Sequence, residues 1–283
     1  MTETPNTERT SPETVSAETK LKQVLADLAG EGNALDELVA HLDEAGWRTQ
    51  TPAAGWDIAH QIAHLAWTDE VSVLAATDRG AWDDVVMAAV NDPAGFVDAA
   101  AASGATAPHL ELLERWRTGR TTLLETLANH PHSEKIAWFG PPMSATSMAT
   151  ARFMETWAHG RDVAEALGAT VPATGRLRHL VHLGVRTRDF AFSLHGLEKP
   201  PEEFRIELVA PDGETWAYGP PDAEQSVHGS AYDFCLLVTQ RGHIADLDLT
   251  GRGADAQKWL VIAQAFAGPP GTGRDPRRRS DER

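Results

Sequence analysis

The sequence predicts an α+β protein, with an N-terminal antiparallel four-helix bundle and a smaller C-terminal α+β domain. Three observations lead there. Four long segments within the first 168 residues carry apolar side chains at helical period. Turns rich in Pro and Gly separate them. After Gly168 the texture changes: FRIELVAPDGETWAYG alternates apolar and polar residues about Pro-Asp-Gly, which reads as two strands and a hairpin turn.

Taken in order, residues 1–17 are mostly Thr, Glu, Pro and Ser with little to bury, the composition of a disordered tail. The bundle domain is expected over 18–170. From Glu18 to Ala45 the residues Leu21, Val24, Leu25, Leu28, Leu35, Leu38, Val39 and Leu42 mark one long helix, bent at most, that Gly46 ends. Pro52 and Gly55 form a turn, and Asp57 is the N-cap of a helix to about Asp78. Residues 79–108 are poorly patterned and suggest a short helix and a loop. His109 to His130 is the third long helix. Ser144, Thr146 or Ser147 caps the fourth, which runs through TARFMETWAHGRDVAEALG from Thr150 to Gly168.

Val171-Pro172-Ala173-Thr174 reads as a linker, and 171–268 as the second domain. A helix is expected over 175–194, and Tyr232 to Gln240 fits a buried strand or a short helix. IADLDLTG reads as a strand and DAQKWLVIAQAFAG as a closing helix. Residues 269–283 read as a flexible tail.

The bulk properties exclude several roles. The net charge of -16 argues against nucleic acid, whose phosphates are neutralised by Lys and Arg. No apolar run approaches the roughly 20 residues that span a bilayer, and the polar N-terminus has no apolar segment of a secretory signal. The expectation is a cytoplasmic protein, monomer or homodimer, that acts on a small molecule without nucleic-acid or membrane partners. With one cysteine, Cys235, there is no intrachain disulfide and no Cys-based zinc cage.

Glu155 and His159 are four residues apart, one turn above each other on one helix face, and Asp162 follows on the same stripe. A carboxylate and an imidazole suit a divalent metal, and a second carboxylate can orient the imidazole. Such pairs also occur on ordinary solvated faces, with Phe153, Trp157, Gly160 and Ala164 as the buried stripe. On the second helix His60, His64, Trp67 and Val71 share one stripe while Ile58, Ile62 and Leu65 share another, so this helix is expected to be largely buried. A buried histidine needs a hydrogen bond or a metal.

Two stretches, GWDIAHQIAHL at Gly55–Leu65 and METWAHGRDVAEALG at Met154–Gly168, resemble the DinB-like metal-binding superfamily, in particular the mycothiol-dependent maleylpyruvate isomerases and related thiol transferases. That resemblance implies a four-helix bundle holding one divalent metal, usually Zn2+, with His64, Glu155 and His159 as ligands and mycothiol as a thiol cofactor; helical spacing, not the resemblance, adds Asp162 and His60 beside them. VTQRGHIADLDLTG and KWLVIAQAFAGPPG resemble the C-terminal domain often fused to the bundle, and Arg241 falls where the isomerases carry an arginine that faces the substrate. WFGPPMSATSM and ETWAHGRD depart from the isomerases, so metal binding carries over further than maleylpyruvate does.

The expected function is a divalent-metal enzyme acting by thiol activation, as an isomerase or thiol S-transferase on a small carboxylate-bearing electrophile. Arg241 or Arg152 would clamp the carboxylate, while the competing and favoured expectation for Arg241 is a surface or interdomain ion pair. The alternatives are a metal-dependent lyase or cyclisation enzyme without a thiol cofactor, and a non-enzymatic metal-dependent binding protein.

Overall fold

The computed structural model describes residues 16–271 and 273–277; the tail expectations for 1–15 and 278–283 lie outside them. Four long helices form the bundle: α1 (Ala17–Val39), α3 (Ile58–Thr77), α6 (His109–Asn129) and α7 (Ala145–Ala166). A short α2 (Glu44–Trp47) follows α1, and α4 (Arg79–Asn91) and α5 (Phe96–Ala105) lie between α3 and α6.

Each start has a local cause. Ser16, Asp57 and Ser144 accept hydrogen bonds from the backbone N–H of the third residue beyond them, which caps α1, α3 and α7. Gly55, at φ 79°, closes the turn that delivers Trp56 and Asp57 to the start of α3. The segment from Glu18 to Ala45 is not one helix. Asp43 caps a new start by accepting from Gly46 N–H, so the chain leaves α1 after Val39. Residues 79–108 hold two helices rather than one, because Asp78 accepts from Ala81 N–H and caps α4.

Helix α3 is the central element. It packs against α5, α6 and α7 and is buried on nearly every face, with Ile58, Ile62, Ala63, Leu65 and Ala66 inaccessible. Gly104 lets α5 come close: a Cβ there would meet the Ala63 Cβ at 2.9 Å.

The C-terminal part is α+β. Helices α8 (Leu177–Arg186) and α9 (Arg188–Leu194) replace the single helix expected over 175–194. Strands β1 (Arg205–Val209), β2 (Thr215–Tyr218), β3 (Ser226–Ser230) and β4 (Leu249–Arg252) form a mixed sheet of order β2-β1-β3-β4. The hairpin read from Pro-Asp-Gly is present, with Val209 opposite Thr215. β1 and β3 are parallel, and β4 is antiparallel to β3. Tyr232 to Gln240 resolves as helix: Ser230 caps α10 (Ala231–Val238) by accepting from Asp233 N–H. Residues 244–246 form a 3-10 turn before β4, and α11 (Ala254–Ile262) closes the domain.

The linker does not separate two cores. One apolar cluster joins Leu28, Phe153, Met154 and Trp157 of the bundle to Leu180, Phe234, Val238 and Trp259 beyond it. A second cluster, built on Val39, Trp47, Ile62, Leu112 and Trp116, lies at the other end of the bundle. Part of the C-terminal tail also returns to the body, where Arg274 reaches Asp162 and Glu165. No single helix among the described residues is long and apolar enough to cross a membrane.

Candidate metal centre

Where α3 crosses α7, His64 meets Glu155 and His159. His64 lies in the middle of α3, and Glu155 and His159 are one turn apart on α7. The Oε2 of Glu155 is 3.2 Å from His159 Nε2 and 3.6 Å from His64 Nε2. The two imidazole centroids are 4.5 Å apart. Each residue offers one ligand atom, and the three atoms lie within 4.8 Å of one another.

These spacings suit a metal. Ligand atoms about 2.1 Å from a tetrahedral ion are about 3.4 Å from each other, by the usual Zn–N and Zn–O distances. The two observed separations bracket that value. The burial pattern fits as well: both histidines are nearly inaccessible, while Glu155 keeps 23% of its side chain exposed. The site therefore opens to solvent on the Glu155 side.

The electrostatics point the same way. Burial pushes the Glu155 carboxyl up, but the imidazoles of His159 and His64 beside it outweigh that and hold the group well below the usual carboxylate range. His159 is lowered to about 4, first by burial and then by the charge of His64, with Glu155 opposing. At neutral pH the site thus presents one anionic oxygen and a neutral His159, the protonation states of a ligand set. His64 Nδ1 is buried without a hydrogen-bond partner among the described residues.

What orients His159 is an amide. Gln61 Oε1 faces His159 Nδ1, so that nitrogen donates and Nε2 is left as the lone pair aimed at Glu155. Gln61 is fully buried, and its Nε2 donates to Thr51 Oγ1, which donates in turn to the Trp56 carbonyl. Trp56 lies over both imidazoles, stacked on His159 at 5.9 Å and tilted against His64 at 5.4 Å. None of Gln61, Thr51 and Trp56 figured among the site residues expected from sequence. The available signal was an amide within the buried face of α3, three residues before His64.

The other expected residues are placed differently. Asp162 does not orient His159. Its buried carboxylate accepts from Arg241 Nη2 at 2.8 Å and from Arg274 Nη2 at 2.6 Å. Two guanidiniums from the C-terminal part outcompete an imidazole N–H for that carboxylate. Arg241 takes the ion-pair role expected as the alternative to substrate contact: it is held by this pairing and by the Thr239 carbonyl, near enough to His159 to oppose its protonation. Arg152 is unavailable to a substrate: it is 2% exposed and pairs with buried Asp69. His60 is turned to its own helix cap, with Nδ1 2.6 Å from Asp57 Oδ1.

Comparison with known proteins agrees with this geometry. Residues 28–164 match the family model of the mycothiol maleylpyruvate isomerase N-terminal domain, and residues 200–252 match one described as wyosine base formation. Uncharacterised proteins from two strains of Mycobacterium tuberculosis, CDC 1551 and H37Rv, are each 58% identical over 88% of this chain and 97% of their own. The crystal structure of the mycothiol-dependent maleylpyruvate isomerase superposes with a TM-score of 0.56 over 89% of this chain and 96% of that one. A point mutant of that enzyme superposes equally well. Identity to both is 16%, so this likeness concerns the fold. With its bundle, its crossing of α3 and α7 and its His-Glu-His cluster, the chain belongs to the mycothiol maleylpyruvate isomerase N-terminal domain family of DinB-like metal-binding proteins.

Proposed function

We infer that the protein is a divalent-metal enzyme, with zinc as the metal, that acts by thiol activation as an isomerase or thiol S-transferase on a small carboxylate-bearing electrophile. The observation that carries this reading is the donor set: one carboxylate and two imidazoles on facing helices, with solvent access on one side. Three protein ligands leave room for an exogenous one, as in catalytic rather than structural zinc sites. A cation held there supplies Lewis acidity and favours the thiolate form of a bound sulfur.

The residues of the chain set the conditions. Glu155 supplies the single negative charge of the ligand set. Burial disfavours the imidazolium of His159, so its Nε2 lone pair is available at neutral pH. Arg241 uses three N–H groups on Asp162 and the Thr239 carbonyl. A guanidinium has five, so two are left for a substrate carboxylate. In the reaction the sulfur would add to an activated carbon–carbon double bond. The addition would break the π bond and leave an electron pair on the neighbouring carbon, held by the substrate's activating group. Rotation about the new single bond and expulsion of the thiolate would give an isomer, whereas uptake of a proton at that carbon before release would give a transferase product.

The test is a conversion assay with zinc-loaded protein, mycothiol or a simple thiol, and a panel of unsaturated carboxylic acids beginning with maleylpyruvate. The expected result is thiol-dependent isomerisation, or an adduct seen by mass spectrometry. Stoichiometric zinc with no thiol-dependent conversion across the panel would remove thiol activation and favour a lyase or cyclisation reaction.

A further inference from the structure

Beside the His-Glu-His cluster lies a line of aromatic rings, of which only Trp138, at its far end, packs against a hydrophobic core. Trp67, one helical turn from His64 on α3, has its ring 6.1 Å from that imidazole. Phe96, at the start of α5, meets Trp67 edge-on at 5.1 Å. Phe139, in the loop before α7, meets Phe96 at 5.8 Å. Trp82 of α4 lies behind Phe139 at 5.0 Å and stacks on Trp138 at 5.8 Å.

Three features argue that this is a wall and not a minor core. Trp56, Trp67, Phe96 and Phe139 belong to neither apolar cluster. Trp67 and Phe96 are only partly buried, and Phe139 is 42% exposed. The line also begins at an imidazole of the metal cluster, whose Glu155 side opens to solvent. Partly exposed rings in series leave apolar surface in water, which is unfavourable unless a ligand covers it. Successive rings set steeply to one another, at 77° and 66°, give a flat partner a face to stack on beside an edge to meet.

We propose that this aromatic line, from Trp67 through Phe96 to Phe139, is the substrate-binding wall of the metal site, and that it selects substrates carrying a flat apolar group, aromatic or conjugated, next to the reacting centre. This rests on His64, Glu155 and His159 being the metal ligands. The inserted helices α4 and α5 and the loop before α7 therefore set substrate choice, while α3 and α7 hold the metal.

The test uses hydroxamates of graded length on the zinc-loaded protein: acetohydroxamate, benzohydroxamate and biphenyl-4-hydroxamate. Each carries the same metal-binding head, so differences in affinity report the wall. Each added ring is expected to tighten binding by about tenfold. Phe139→Ala, a change at an exposed ring, and Phe96→Leu should remove the gain of the outer ring and leave acetohydroxamate within about twofold of wild type. Equal affinity along the series, with zinc bound, overturns the wall and leaves the metal site standing. A protein that takes up no zinc overturns both.

Discussion

Gln61 and His159 form the contact that fixes the candidate site: the amide oxygen on α3 accepts from Nδ1 of the imidazole on α7, which turns Nε2 towards Glu155. Partners of this kind typically change metal affinity by about 10–100-fold when removed. Gln61→Leu should lower zinc affinity by that amount, whereas Gln61→Glu, which keeps an acceptor, should stay close to wild type. A chelator competition titration measures both. Equal affinity in all three proteins would show that the amide does not act on the metal through His159.

Asp162 has a structural part to play. Its carboxylate is buried and takes one guanidinium from Arg241 and one from Arg274. Removing one partner of a buried ion pair costs about 3 kcal/mol or more. Asp162→Asn is therefore expected to lower the thermal midpoint by roughly 6 °C or more, with zinc affinity changed less than in Gln61→Leu. A variant that loses zinc but keeps its midpoint would return Asp162 to the metal.

The lowered pKa of His159 makes the metal-free protein sensitive to acid. The folded imidazole stays neutral down to about pH 4, while the unfolded one takes up its proton near pH 6.5. Between those values the unfolded chain binds more protons, so stability falls as pH falls. The window is worth at most about 3 kcal/mol, at about 1.4 kcal/mol per pH unit. Glu155 adds to the loss at the acid end, because its folded carboxyl is depressed and its contribution disappears on protonation. Urea midpoints at pH 7.5, 5.5 and 4.5 should decline in wild type and flatten over this range in His159→Asn. Parallel declines would contradict the assignment.

Much of this architecture is legible in the sequence because it depends on local pattern. The period of Leu112, Leu113, Trp116, Leu123 and Leu127 marks α6, and a capping side chain precedes each of α1, α3 and α7. The three clustered residues follow from the resemblance of two short stretches. What could not be read is what depends on partners distant in sequence. Arg241 and Arg274 lie 79 and 112 residues from Asp162, so neighbourhood on α7 suggested His159 instead. Gln61 is 98 residues from His159, and an amide on the buried face of α3 calls for a partner without naming which one. Nor does composition around 171–174 disclose that Trp157 and Phe234 share one core.

That shared core has a consequence for the chain as a whole. A nick at 172–174 should leave both pieces associated on gel filtration under native conditions. A fragment ending at Gly168 would expose Phe153, Met154 and Trp157, which are now buried. It is expected to bind a hydrophobic dye and to unfold with low cooperativity. A well-folded, cooperative fragment would show that the bundle is self-sufficient.

The most direct measurement is metal content. Protein purified without chelator and analysed by inductively coupled plasma mass spectrometry should carry about one divalent metal per chain, on the three-ligand reasoning. His64→Ala should be largely empty. Glu155→Ala should be emptiest, since its loss leaves a dication among neutral imidazoles. Stoichiometric metal in both variants, or none in the wild-type protein after incubation with zinc, would contradict the assignment of His64, Glu155 and His159 as the metal centre.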